Sequence, residues 1–255
     1  MVDSVTKTSF TRIRRSKFER RLTTKKILAK VFIYFILLLL YAPLIYITVF
    51  SFTTAKTTGM WSGFSMDNYS TLFNPGGNKV AEAIWNACLN TMLVALASAT
   101  VSTVIGTFGA IGIFYIRNKL LKNSLEFVNQ IPVVNAEIVT AVSLCILFAI
   151  TVKERNFITL VIGHSVLALP YVVMSVKPKL EQMDPALYEA AMDLGATQTQ
   201  ALWKVIIPEM IPGILSGFML SVTLSLDDYV ITAFTKPTTK GFETISTYVD
   251  GQTAK

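Results

Sequence analysis

Four ionisable side chains stand inside otherwise apolar stretches of this chain: Glu137, His164, Asp227 and Asp228. A charge near the centre of a bilayer costs about 2.5 to 3.5 kcal/mol on insertion scales, so a carboxylate kept there faces a cavity, a partner or a cation. Asp227 and Asp228 adjoin in LSVTLSLDDYVITAF. Successive helical residues point about 100° apart, so at most one of the two faces a central pathway squarely, and the other meets a neighbouring helix or outside water. Glu137 follows Pro132 and Asn135 in IPVVNAEIVTAVSLCILF, where a Pro-broken helix start would open backbone and carboxylate to a cavity. The chemistry within reach of this set is cation binding along a path; the plainer alternative is that Asp227 and Asp228 brace an interface or pair with a base on another subunit. His164, in GHSVLALPYVVM, reads as a hydrogen-bonded packing residue, and Pro170 is placed to kink the same helix.

Catalysis finds no support in the residue inventory. There is one histidine, no GxSxG elbow and no cluster with metal-ligand spacing, so no metal site is expected. Cys88 and Cys145 lie in separate apolar stretches without CxxC spacing and read as packing residues. No Gly-rich loop runs into Lys-Ser or Lys-Thr, and GTFGAIG belongs to an apolar helix rather than a strand-to-helix phosphate cradle. The chain is therefore not expected to hydrolyse ATP or to hold a cofactor of its own.

The elements that must position these acids are membrane helices. The 255 residues are 52% hydrophobic and 15% charged, against about 25% charged in soluble domains. Five stretches meet the requirement of about 20 mostly apolar residues: roughly 31 to 52, 88 to 116, 131 to 151, 157 to 176 and 210 to 232. The first is too long for a cleaved signal and no small-residue cleavage site follows it. The net charge of +7 does not form a nucleic-acid stripe, because ten of the 23 basic residues fall in the tail 1–30. Positive loops stay cytoplasmic. With the tail inside, Arg117, Lys119 and Lys122 of one connection and Lys177, Lys179 and Lys204 of another are also inside. The expected organisation is a basic cytoplasmic tail, 1–30, and an all-α membrane domain, 31–255, whose long cytoplasmic loop is 177–209. An odd number of spans leaves Thr235 to Lys255 outside, and a sixth helix is expected after residue 255.

That loop, VKPKLEQMDPALYEAAMDLGATQTQALWKVIIPEMIPG in its context, has its own helical grammar. Asp184 before Pro185 is a helix start. Gly195 is placed to end the helix in a left-handed conformation, and Thr197 or Thr199 can cap a second short helix before Pro208. Glu189, Ala190 and Ala191, then Gly195, then Val205, Ile207 and Pro208 resemble the EAA signature of permease subunits of binding-protein-dependent ABC importers. The small side chains permit close approach to a partner surface and Gly195 sets the angle to the next helix. The resemblance implies that this coupling helix docks on an ATP-binding subunit, with Glu189 contributing charge at the contact. It also implies two copies of that subunit, which bind ATP and magnesium, together with a homologous permease and an extracytoplasmic substrate-binding protein.

TLSLDDYVITAF and NAEIVTAVSL further resemble the second permease of spermidine/putrescine importers over most of residues 30 to 245. Polyamines are flexible polycations, and acidic residues on the path would replace part of their hydration while still letting them leave. The external segment 53–86 carries Trp61, Phe64, Tyr69, Phe73 and Trp85, which suit interfacial anchoring; in the family such surfaces receive the loaded binding protein. The rivals are an importer of another solute, such as an amino acid, phosphonate or ferric ion, an ATP-independent secondary carrier, and a membrane scaffold. A carrier leaves the EAA signature unexplained, and a scaffold leaves the buried acids unexplained.

Overall fold

A computed structural model describes residues 2–54, 60–74, 78–152, 154–184, 186–238 and 241–253, with side chains described from residue 26 onward. Pro185 lies outside the described residues. Two units, Met1–Gly77 and Asn78–Lys255, are compact in themselves.

In the first unit the tail and first span form one helix, α1 (Val2–Phe50), of which Lys26–Phe50 is long and apolar enough to cross a membrane. A short helix follows, α2 (Asp67–Leu72). Part of the aromatic set expected outside the membrane gathers here: Phe52 stacks on Phe64 and Tyr69, with centroids 5.5 and 5.1 Å away, and the Tyr69 hydroxyl meets Ser51 Oγ at 2.7 Å.

The second unit is built around three long helices. These are α3 (Lys79–Tyr115), α6 (Phe157–Gln182) and α9 (Ile207–Asp227), the last entered through a helical run from Gln198. All three pack on one another. Without a hydrophobic drive between helices in lipid, close packing depends on small residues, and Val172 of α6 sits between two of them. A Cβ added at Gly106 of α3 would lie 2.8 Å from Val172 Cβ and Cγ1, and one at Gly217 of α9 would lie 3.3 Å from Val172 Cα. At the end of the bundle where α6 gives way to the segment leading into α9, Ala110, Ile111, Val172, Val173, Val176, Leu180, Ile206 and Met210 close a buried cluster. Asn156 starts α6 with a capping box to Thr159, and α6 runs on through Pro170 and Pro178 to Gln182.

Four boundaries differ from the sequence expectation. The helix expected to begin near 88 starts at Lys79, capped by the Asn78 side chain. The span expected over 131–151 is a broken pair, α4 (Lys119–Val134) and α5 (Glu137–Thr151), bent by 104°. Pro132 carries no N–H to continue the ladder, and Asn135 and Ala136 turn extended (ψ 146° and 132°). The last span ends at Asp227 rather than near 232; Asp228 is extended, and a separate short helix follows, α10 (Val230–Thr235). Of the stretch 177–209, residues up to 182 continue α6, where Lys177 reaches Glu126 of α4 at 2.8 Å. The polar stretch after Thr235 contains α11 (Ile245–Thr253).

Candidate functional site

The segment between α6 and α9 is organised by local hydrogen bonds that its residue types dictate. Asp184 Oδ1 accepts from the Ala186 amide at 2.9 Å and opens α7 (Ala186–Asp193). Gly195 closes it with φ +84°, the left-handed region that glycine enters without a Cβ penalty. The Ala196 amide then donates to Ala191 O and the Gly195 amide to Met192 O, the two bonds of a Schellman end. Thr197 caps α8 (Gln198–Ala201) through a reciprocal box with Gln200. A π-helical turn, Leu202–Ile206, links α8 to α9, with the Ile207 amide bonded to Leu202 O five residues back. Pro208 explains its position: the ring has no N–H and crowds the carbonyl four residues earlier, and the wider turn just before it accommodates both.

The EAA residues are thus placed as a unit. Glu189, Ala190 and Gly195 are exposed, Ala191 is half-buried, and no residue of α7 is buried. Tyr188 beside them turns inward and packs on the buried cluster of α3, α6 and α9. Its ring lies 6.1 Å from that of Tyr115. One face of α7 is therefore open, and the other is tied to the core of the bundle.

The acids lie on two helix breaks. Glu137 is the first residue of α5, exposed just after the α4–α5 bend. Asp227 is the last residue of α9 and is exposed. Asp228, one residue on, is buried. Its Oδ1 accepts from the Ile231 amide at 3.1 Å and its Oδ2 from the Thr232 amide at 2.9 Å, so this carboxylate holds the start of α10. Helix α5 packs on α10, which brings Glu137 within electrostatic reach of Asp227 and Asp228. Pathway acids expected from three positions thus divide into two open carboxylates and one enclosed one.

His164 is enclosed with Asp228. Its Nε2 lies 2.9 Å from Thr232 Oγ1 and 3.5 Å from Asp228 Oδ2, while Nδ1 lies 2.9 Å from Ser225 Oγ. Ser225 meets Ser98 Oγ of α3 at 3.2 Å, so four helices join in one polar network. Sequence reasoning placed His164 as a packing residue and passed over Ser98, Ser225 and Thr232. The available signal was the pairing of Ser98 with Ser102 and of Ser221 with Ser225, small polar residues four apart on apolar helices. Residues beyond α10 cover the break: Ser246 Oγ donates to Asp228 O at 3.1 Å, the Ile245 amide to Thr91 Oγ1 at 2.9 Å, and Tyr229 OH to Asp250 Oδ2 at 2.8 Å. Among the described residues no group of three or more His, Cys, Asp or Glu side chains is arranged to hold a metal ion.

The family model for the inner membrane component of binding-protein-dependent transport systems matches residues 102–249, a stretch that holds the α7 motif and both helix breaks. The chain belongs to this family. It is an ABC importer permease, a multi-pass inner-membrane subunit rather than an enzyme, and permeases of this kind work with a substrate-binding protein and an ATPase subunit. The spermidine/putrescine transport system permease protein PotC of Haemophilus influenzae is 32% identical to it over 207 residues, 81% of this chain and 78% of that protein. The putrescine transport system permease protein PotI of Escherichia coli K12 is 31% identical over 201 residues, 76% of this chain and 69% of that protein. Among solved structures, a bacterial ABC transporter involved in the import of the acidic polysaccharide alginate superposes with a TM-score of 0.66. At 17% identity, over 88% of this chain and 78% of that one, it shares the permease fold.

Proposed function

We propose that this ABC importer permease conducts spermidine or putrescine, pairing with a homologous permease and two ATPase copies and working by alternating access with its N-terminus in the cytoplasm. The observation that carries the substrate class is the placement of Glu137 and Asp227: two exposed carboxylates at two helix breaks, with α5 packed on α10 just beyond the second break. A broken helix offers free backbone groups as well as charge, and irregular backbone at membrane depth is stable where it lines a cavity or is buried in protein. Spaced carboxylates suit a flexible chain of ammonium groups, and the names of the PotC and PotI relatives agree with that class. Asp228 adds negative charge from behind while its oxygens are committed to α10. Glu189, Ala190, Ala191, Gly195 and Pro208 form the ATPase-coupling motif, with the open face of α7 as the docking face.

The reading is tested by uptake into proteoliposomes holding the chain, its partner permease, the ATPase and the binding protein. Labelled spermidine should enter only with internal ATP, and Asp227→Asn and Glu137→Gln should each raise the KM for uptake by about tenfold, the scale of a lost contact to a charged group. Uptake of an amino acid or phosphonate in place of spermidine would remove the substrate assignment. Uptake without ATP would identify a secondary carrier.

A further inference from the structure

The His164 network does more than fill space. Hydrogen-bond satisfaction fixes its arrangement among the described residues. Asp228 Oδ2 can only accept and lies 3.1 Å from Thr232 Oγ1 and 3.5 Å from His164 Nε2, so the Thr232 proton turns to the carboxylate and the Thr232 oxygen is left to accept from Nε2–H, with Nδ1 facing Ser225 Oγ at 2.9 Å. Ser225 therefore donates to Nδ1, Nε2–H donates to Thr232 Oγ1, and the Thr232 hydroxyl donates to Asp228 Oδ2 at 3.1 Å. In this arrangement the imidazole is neutral and both of its nitrogens are used. It joins the last turn of α9, through Ser225, to the first turn of α10, through Thr232. The two residues between those helices are Asp228 and Tyr229.

The same junction is tightly packed. Gly163, beside His164, admits α10 so closely that a Cβ there would lie 3.0 Å from Ile231 Cγ2 and 3.3 Å from Thr235 Oγ1. The imidazole, Thr232 and Asp228 are all at least 95% buried. Across this break Asp228 is buried and Asp227, one residue earlier, is exposed, so the contacts that fix the break also fix which way Asp227 faces. We propose that His164 is a positioning residue for transport: by bridging Ser225 and Thr232 it fixes the α9–α10 break and thereby holds Asp227 on the open side. The inference rests on the pathway role proposed for Asp227; His164 itself touches no substrate.

The test combines transport with a structural readout in the assembled transporter. His164→Phe keeps ring volume and removes both hydrogen bonds. His164→Gln keeps a donor at the Nε2 end, and Thr232→Val cuts the link between imidazole and carboxylate. His164→Phe and Thr232→Val should each raise the KM for spermidine about tenfold, the scale of a lost charge-assisted hydrogen bond, with Vmax and ATPase co-purification kept; His164→Gln should recover the native KM. In an Asp227→Asn background the His164→Phe effect should vanish, because the residue acts through Asp227. In parallel, Asp227→Cys on a Cys88→Ala, Cys145→Ala background is labelled with a water-soluble maleimide. The labelling rate should change by about fivefold or more when His164→Phe or Thr232→Val is added, and return with His164→Gln. An unchanged labelling rate in both variants overturns the proposal, as does a KM effect of His164→Phe that persists in full beside Asp227→Asn. If the wild type carries no spermidine, the substrate reading falls and the labelling rates alone decide the role of His164.

Discussion

Replacing Gly106 with alanine should weaken the bundle, and the contact geometry says by how much. The new methyl would sit 2.8 Å from both Val172 Cβ and Cγ1, with Leu169 O at 3.4 Å. Two of these contacts fall on a side chain rooted in the packed face of α6, which is fully buried and also fills the space opposite Gly217. It has no flexible end to swing away. Overpacking of this kind costs about 1 to 3 kcal/mol, while alanine gains about 0.8 to 1 kcal/mol over glycine in a helix interior. Gly109, one turn on along α3, supplies the control, because an added Cβ there meets nothing within 4 Å. Gly109→Ala should then leave stability unchanged or raise it. The difference between the two variants isolates the clash at about 1 to 3 kcal/mol. Thermal unfolding of the purified permease in detergent, followed by the loss of monodisperse protein, measures both. Adding Val172→Gly removes the opposing Cβ, so the double variant should lose less than the sum of the singles by about 0.5 to 3 kcal/mol. Equal stability of Gly106→Ala and Gly109→Ala, or simple additivity with Val172→Gly, would refute the three-helix packing described above.

Two further outcomes follow from local geometry. Gly195→Ala forces a Cβ into φ +84°, a cost of about 1 to 2 kcal/mol; it should reduce ATPase co-purification while leaving the amount of permease in the membrane unchanged. The Lys177–Glu126 pair joins α6 to α4 with both side chains about a quarter exposed, so a double-mutant cycle of Lys177→Met and Glu126→Gln should yield a coupling near 1 kcal/mol or less, weaker at high salt.

The parts of the fold legible in the sequence were those set by long apolar runs and by local caps. Lys26–Phe50, α3, α6 and α9 follow from unbroken apolar stretches. The ends of α7 and the start of α8 follow from Asp184, Gly195 and Thr197, whose side chains or backbone freedom act within a few residues. The helix breaks were harder to read. Periodicity counts Asp228 as one polar residue in an apolar run, whereas its carboxylate captures the Ile231 and Thr232 amides and starts a new helix. Pro132 hinted at the bend in the expected third span, but α4 begins at Lys119 in a stretch read as a basic loop. The cover over the α9–α10 break was invisible for another reason. Asn90 and Thr91 meet Glu243 and Ile245 from more than 150 positions away, and no local pattern records such contacts.

The central claim is that ATP-driven motion enters this permease through α7 and moves a polyamine past its acids. Glu189→Lys tests it most directly, because Glu189 is exposed on a helix with no buried residue and reverses charge without disturbing the bundle. In the reconstituted importer Glu189→Lys should reach normal membrane levels, lose the ATPase on co-purification, and lose ATP-driven spermidine uptake. Spermidine uptake at the wild-type rate by Glu189→Lys, with the ATPase still bound, would contradict the claim.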